Sequence, residues 1–140
     1  MSIFVTKSFR YSEFACPCCG KVRPISPDLI YRLQNLRDKI GKPIYISSGI
    51  RCKKYNKKVG GYRNSPHLTG KAVDIHAKNI DIDDLAIMAR DEGFSRIGIY
   101  PYNHFIHIDI LKPRPSKAWI RDNSGVYWYF STLEDAISVI

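Results

Sequence analysis

Residues 105–111, Phe-Ile-His-Ile-Asp-Ile-Leu, alternate strictly, and a period of two marks a strand with unlike faces. Ile106, Ile108 and Ile110 share one face and demand a covering layer. Phe105, His107 and Asp109 share the other. An imidazole and a carboxylate side by side are unusual on a plain structural strand. Residues 71–75, Lys-Ala-Val-Asp-Ile, repeat the arrangement, with Val73 and Ile75 inward and Asp74 opposite, beside small Ala72. A lone carboxylate in such a run is costly to desolvate, so it calls for a partner, most simply a cation. Two strands with apolar faces covered and polar faces left open are therefore the first constraint on the fold.

Helices to cover the isoleucines are at hand. Ser26 is a good N-cap, Pro27 suits the first helical position and Asp28 complements the helix dipole. Leu29, Leu33, Leu36 and Ile40 then recur at helical spacing until Gly41 ends the segment. A second helix fits 81–93, with Asp81 as cap, Ile82, Leu85, Ala86 and Ala89 inward, and Gly93 as stop. Further strands are expected at 43–48, 96–100 and 126–130, while the polar, basic, glycine-containing 49–70 segment reads as a long loop. The expectation is one α+β domain spanning 1–140, with a small, mainly antiparallel sheet and helices packed on one side.

No apolar run approaches a membrane span, and residues 1–14 lack the apolar core and cleavage site of a secretory signal. Synthesis in the cytoplasm is expected. The formal charge of +9 favours an anionic partner, either nucleic acid or an anionic polymer such as a bacterial wall. Cys16, Cys18, Cys19 and Cys52 are too few and too clustered for a secreted disulfide framework. Cys16 and Cys19 form half a zinc knuckle, but closing it with neighbouring Cys18 or a distant histidine is awkward. Buried or loosely paired structural cysteines are the expectation.

His67 lies just upstream of Asp74, on a turn that Gly70 allows to fold back. Taken singly, such a histidine is an ordinary residue and such an aspartate an ordinary turn cap. Taken jointly, His67, Asp74 and His107 are a His/Asp/His set from one loop and two strands. That set suits a catalytic zinc, which accepts imidazole nitrogen and carboxylate oxygen and keeps a fourth position for water. Arg51 adds a guanidinium able to hold a peptide carboxylate or carbonyl.

Several stretches resemble one family. "SPHLTGKAVDI" matches the S-x-H-x-x-G-x-A-x-D-[IV] signature of the M15 peptidases, the D-alanyl-D-alanine carboxypeptidase and peptidoglycan L,D-endopeptidase group. "FIHIDI" is similar to their later H-x-D strand. "KPIYISSGIRCKKYNKKVGG" resembles their S-G-[YF]-R segment with its following Y-N-x-x-V-G-G run. "RIGIYPYNHFIHIDI" resembles a G-I-G-x-Y-P block of short phage and bacterial members, and "SEFACPCCG" their usual opening. The likeness covers roughly residues 8 to 112, and no motif is placed after Pro113.

The resemblance implies a Hedgehog/DD-peptidase-like fold, with His67, Asp74 and His107 as zinc ligands and Ser65 and Arg51 as substrate contacts. It implies hydrolysis of an amide bond in the peptidoglycan stem peptide. The missing signal fits a phage-type lytic enzyme acting on the wall, or a cytoplasmic recycling role. Many members carry Glu or Asp three residues before the last ligand, as general base; this chain has His104 there. Imidazole can serve near neutral pH. Asp109 is the other candidate base, although the resemblance makes it an orienting partner of a ligand histidine. His76 is expected to be structural or on the surface. Two further readings stay open: a catalytically silent zinc- or wall-binding module, and a nucleic-acid binder using "RCKKYNKKVGGYR", for which no recognised motif is present.

Overall fold

A computed structural model describes residues 3–21, 24–112 and 117–140. Positions 1, 2, 22, 23 and 113–116, which the single-domain expectation also spans, lie outside the described residues. Among the described residues the chain runs α1 (Pro27–Ile40), β1 (Ile44–Ser48), α2 (Lys53–Lys58), β2 (Ala72–Ala77), α3 (Ile82–Asp91), β3 (Arg96–Tyr100), β4 (Phe105–Asp109), β5 (Ala118–Arg121), β6 (Tyr127–Phe130) and α4 (Leu133–Ile137). Short 3-10 turns occupy Tyr11–Phe14 and Pro66–Thr69.

The six strands form one mixed sheet in the order β1-β2-β4-β3-β5-β6. Four neighbouring pairs are antiparallel and β3–β5 is parallel. Val73, Ile75, Ile97, Ile99, Ile106 and Ile108 fill one face and pack with Leu29, Leu33 and Leu36 of α1, Leu85 and Ala89 of α3, and Leu133 and Ala136 of α4. Burial of these side chains removes roughly 1.5–3 kcal/mol of exposure cost for each large one. The opposite face carries the polar residues. The α1 signals act as expected: Ser26 Oγ accepts from the Leu29 amide, and Gly41 closes the helix at φ 69°. Asp81 is the N-cap of α3, but its side chain makes no capping bond.

Two parts of the fold depart from the sequence expectation. The 49–70 segment contains α2 and the Pro66–Thr69 turn in place of a plain loop. α2 reads Lys-Lys-Tyr-Asn-Lys-Lys and has no apolar stripe to betray it; the Cys52 cap and buried Asn56 hold it. Beyond residue 116, β5 and α4 extend the sheet and the helical layer.

Candidate metal and substrate site

Register places the site. Ser48, Asp74, His107, Gly98, Trp119 and Tyr129 are successive cross-strand partners in one row across the sheet. An irregularity in β1 between Ile46 and Ser48 brings Ser48 opposite Asp74. The row floors a cavity of about 770 Å³, walled by the Val59–His67 segment on one side and by β5 and β6 on the other.

His67, Asp74 and His107 are all buried, and one donor atom of each lies within 4.8 Å of the other two. His67 Nε2 is 3.2 Å and His107 Nδ1 3.0 Å from the same Asp74 oxygen, Oδ1. The outer nitrogens set the tautomers. His67 Nδ1–H donates to the Gly49 carbonyl at 2.7 Å, because a carbonyl can only accept. His107 Nε2–H donates to Asp109 Oδ2 at 2.8 Å. Two lone pairs and a carboxylate oxygen thus converge from pre-oriented rings, an arrangement typical of metal-ligating histidines.

The electrostatics of the site follow from the same contacts. Burial disfavours a charged His67 and lowers its pKa. Burial also opposes charge on His107, yet the hydrogen bonds to Asp109 and Asp74 outweigh it and lift that pKa to about 9. Burial would raise Asp74, but bonds to His107 and His67 win and hold its carboxyl below the ordinary range. The three donors match the zinc set by type, number and spacing.

Arg51 reaches this group with its whole fork. Its Nε donates to Ser48 Oγ at 3.1 Å, Nη1 to Asn56 Oδ1 at 3.2 Å and Nη2 to Asp74 Oδ2 at 3.3 Å. Asn56, which sequence reasoning did not single out, is the buried positioner, and its Nδ2 donates to the Tyr62 carbonyl at 2.7 Å. A Cβ on Gly61 would lie 2.1 Å from Asn56 Oδ1 and 2.9 Å from Arg51 Nη1, so the Gly-Gly pair after α2 leaves room for this clamp. Ser65 lies in the cavity wall, and its Oγ caps the following turn by accepting from the His67 amide at 3.3 Å.

The two candidate bases end in different places. Asp109 is fully buried, and its oxygens accept from His107, from Arg96 Nε at 3.0 Å and from the Leu111 amide at 3.1 Å. Its Oδ2 holds His107 from behind and does not face the cavity. The structure does not bring His104 to the site. That residue is exposed in the β3–β4 turn with φ 57° and is not among the described residues lining the cavity. His76 lies two residues beyond Asp74, bonded to Ser47 and stacked on Tyr45.

The far wall was not legible as a site. Trp119 lies against His107 with ring centroids 5.1 Å apart, and its Nε1 donates to the Tyr100 hydroxyl at 3.2 Å. Tyr127, Tyr129 and Arg121 continue the wall, and the Tyr129 hydroxyl meets that of Tyr62 at 2.7 Å. The alternation Trp119/Arg121 and Tyr127/Tyr129 was the signal available. Gly98 makes the wall fit, because a Cβ there would lie 2.3 Å from the Trp119 ring. Gly98→Ala is expected to push Trp119 off the floor and destabilise by roughly 1–3 kcal/mol. Denaturant unfolding checks the stability, and Trp119 fluorescence the displacement; an unchanged midpoint and spectrum would refute the packing.

The likeness to known proteins can now be set beside this geometry. The sequence model of the family described as Peptidase M15 matches residues 7–109. The peptidoglycan L,D-endopeptidase MepK of Escherichia coli K12 is 29% identical over 107 residues, covering 71% of this chain and 57% of that protein. The zinc D-Ala-D-Ala carboxypeptidase of Streptomyces albus G is 36% identical over 83 residues, covering 56% of this chain and 32% of that protein. A probable MepK of Haemophilus influenzae is 25% identical over 108 residues. The chain thus spans little more than half the length of the MepK relatives and a third of the carboxypeptidase. β5, β6 and α4 lie beyond the matched segment.

Proposed function

The chain belongs to the M15 peptidase family, and on that premise we propose that it is a zinc peptidase cutting an amide bond in the peptidoglycan stem peptide. The carrying observation is the convergence of His67 Nε2, Asp74 Oδ1 and His107 Nδ1, each ring fixed by a bond on its other side. A zinc ion held there supplies Lewis acidity toward the scissile carbonyl and acidifies water. Arg51 holds the substrate carbonyl or carboxylate with donors not fully engaged by its three partners. Asp109 keeps His107 in the tautomer that turns Nδ1 to the cavity. Arg96 and Arg121 line the same cavity, where Asp74 is the only carboxylate among the described lining residues, which favours an anionic peptide.

The Hedgehog/DD-peptidase-like architecture, a single domain over 1–140, the anionic wall as partner and a phage-type lytic role belong to the same proposal. No described helix is long and apolar enough to cross a membrane. The test is dialysis against chelator followed by zinc restoration, with release of D-Ala or stem-peptide fragments measured by mass spectrometry. Metal-dependent release supports the reading; a zinc-loaded protein with no turnover on any stem peptide sinks it.

One observation favours a second reading, a silent zinc- or wall-binding module. Among the described residues lining the cavity, no histidine or carboxylate stands outside the His67/Asp74/His107 set to serve as base. Retained sedimentation with purified wall, without cleavage, would select it.

The positioning role of Asp109 makes its own prediction. Asp109→Asn should weaken zinc affinity or activity by roughly 10–100-fold. Competition with a chromophoric chelator measures it, and affinity equal to wild type would exclude the role.

A further inference from the structure

The cysteines gather at a place the hydrolytic reading does not use. The sulfurs of Cys16, Cys19 and Cys52 lie within 4.8 Å of one another, although 33 residues of chain separate Cys19 from Cys52. Ideal tetrahedral zinc–thiolate bonds of about 2.3 Å place sulfurs roughly 3.8 Å apart, so only a small contraction is needed. A single disulfide would satisfy two of the three and leave the third unpaired.

Backbone amides point at these sulfurs. The Cys52 amide donates to Cys16 Sγ and the Tyr55 amide to Cys52 Sγ, each at 3.4 Å. Thiols are weak acceptors, whereas thiolates attract several N–H groups. The turn that achieves this is tight: the Gly20 amide bonds the Cys16 carbonyl at 2.7 Å, and Gly20 sits at φ 68°. Cys16 is buried, Cys52 half-buried, and Cys18 and Cys19 exposed, where buried or loosely paired structural cysteines were expected.

We propose that Cys16, Cys19 and Cys52 hold a second, structural metal ion of zinc-like softness. The site ties the N-terminal turn to the loop that carries Arg51. Those two segments already touch: the Ile50 amide donates to the Phe14 carbonyl at 2.9 Å, and Gly49 is so close to the Phe14 backbone that no Cβ fits. Cys52 follows Arg51 directly and caps α2, which carries Asn56. The metal is thus a brace behind the guanidinium clamp and has no part in the reaction.

Elemental analysis and cobalt substitution test it on the full chain purified under reducing conditions. The expected content is two metal ions per chain in wild type and one in both His67→Ala and Cys19→Ser. Cobalt-loaded His67→Ala should show a near-ultraviolet thiolate-to-cobalt charge-transfer band, and cobalt-loaded Cys19→Ser should lack it. Cys19 is exposed, so its serine variant tests ligation without opening the core. One metal in wild type with no thiolate band would overturn the proposal, as would a Cys16–Cys52 disulfide that forms with zinc present. One metal with the band would keep this site and refute the His/Asp/His reading instead.

Discussion

Asp74→Asn is expected to abolish stem-peptide hydrolysis and remove the metal from the His67/Asp74/His107 site. The substitution keeps the volume and deletes the charge. It removes the carboxylate that faces both histidines and pairs with Arg51. His107 can shed its proton in response, but Arg51 cannot. Breaking such a buried pair from one side costs about 3–5 kcal/mol. Urea unfolding of the metal-free proteins at neutral pH measures that difference. The sign of its pH dependence follows from the lowered pKa of Asp74. The carboxylate's contribution is fully present above its unfolded value of 3.8, and is lost as pH falls through the lower folded value. The gap between the two proteins should therefore close in strong acid. A variant that kept its zinc and turned over within tenfold of wild type would remove the basis for the assigned ligand set.

Arg51→Ala comes second in size. Loss of an oxyanion-stabilising donor costs about 100–1,000-fold in kcat, and the same is expected here. Arg51→Lys should recover little, since an ammonium cannot reach Ser48, Asn56 and Asp74 from one plane. Zinc content must be measured alongside. Retained zinc with a fallen kcat places the effect on the substrate; lost zinc places it on the orientation of Asp74. Full activity in the lysine variant would show that charge alone suffices.

Much of this site was legible because strand alternation is a local rule. Once Ile106 and Ile108 must face the helices, His107 has no choice but the open face, and the same holds for Asp74 between Val73 and Ile75. Antiparallel register then sets Asp74 opposite His107. The parts that escaped depend on non-local pairing or on the absence of pattern. β5 has four residues and pairs in parallel with β3, so its alternation is too short to announce a strand. α2 is polar throughout and is held by Cys52 and Asn56, which no helical periodicity reveals. His104 stands at φ 57° in the turn before β4, where strand alternation no longer says which face a side chain joins. Cys52 looks remote on paper and lies beside Cys16 in space.

The parallel seam between β3 and β5 divides the molecule's labour. His67, Asp74, His107 and Arg51 all precede β5 in the chain, whereas Trp119, Arg121, Tyr127 and Tyr129 lie on β5 and β6. That wall can thus be recut apart from the donors: exchanges at Arg121, Tyr127 and Tyr129 should retune which peptide is accepted while leaving metal affinity where it was, whereas Trp119, packed on His107, couples the two.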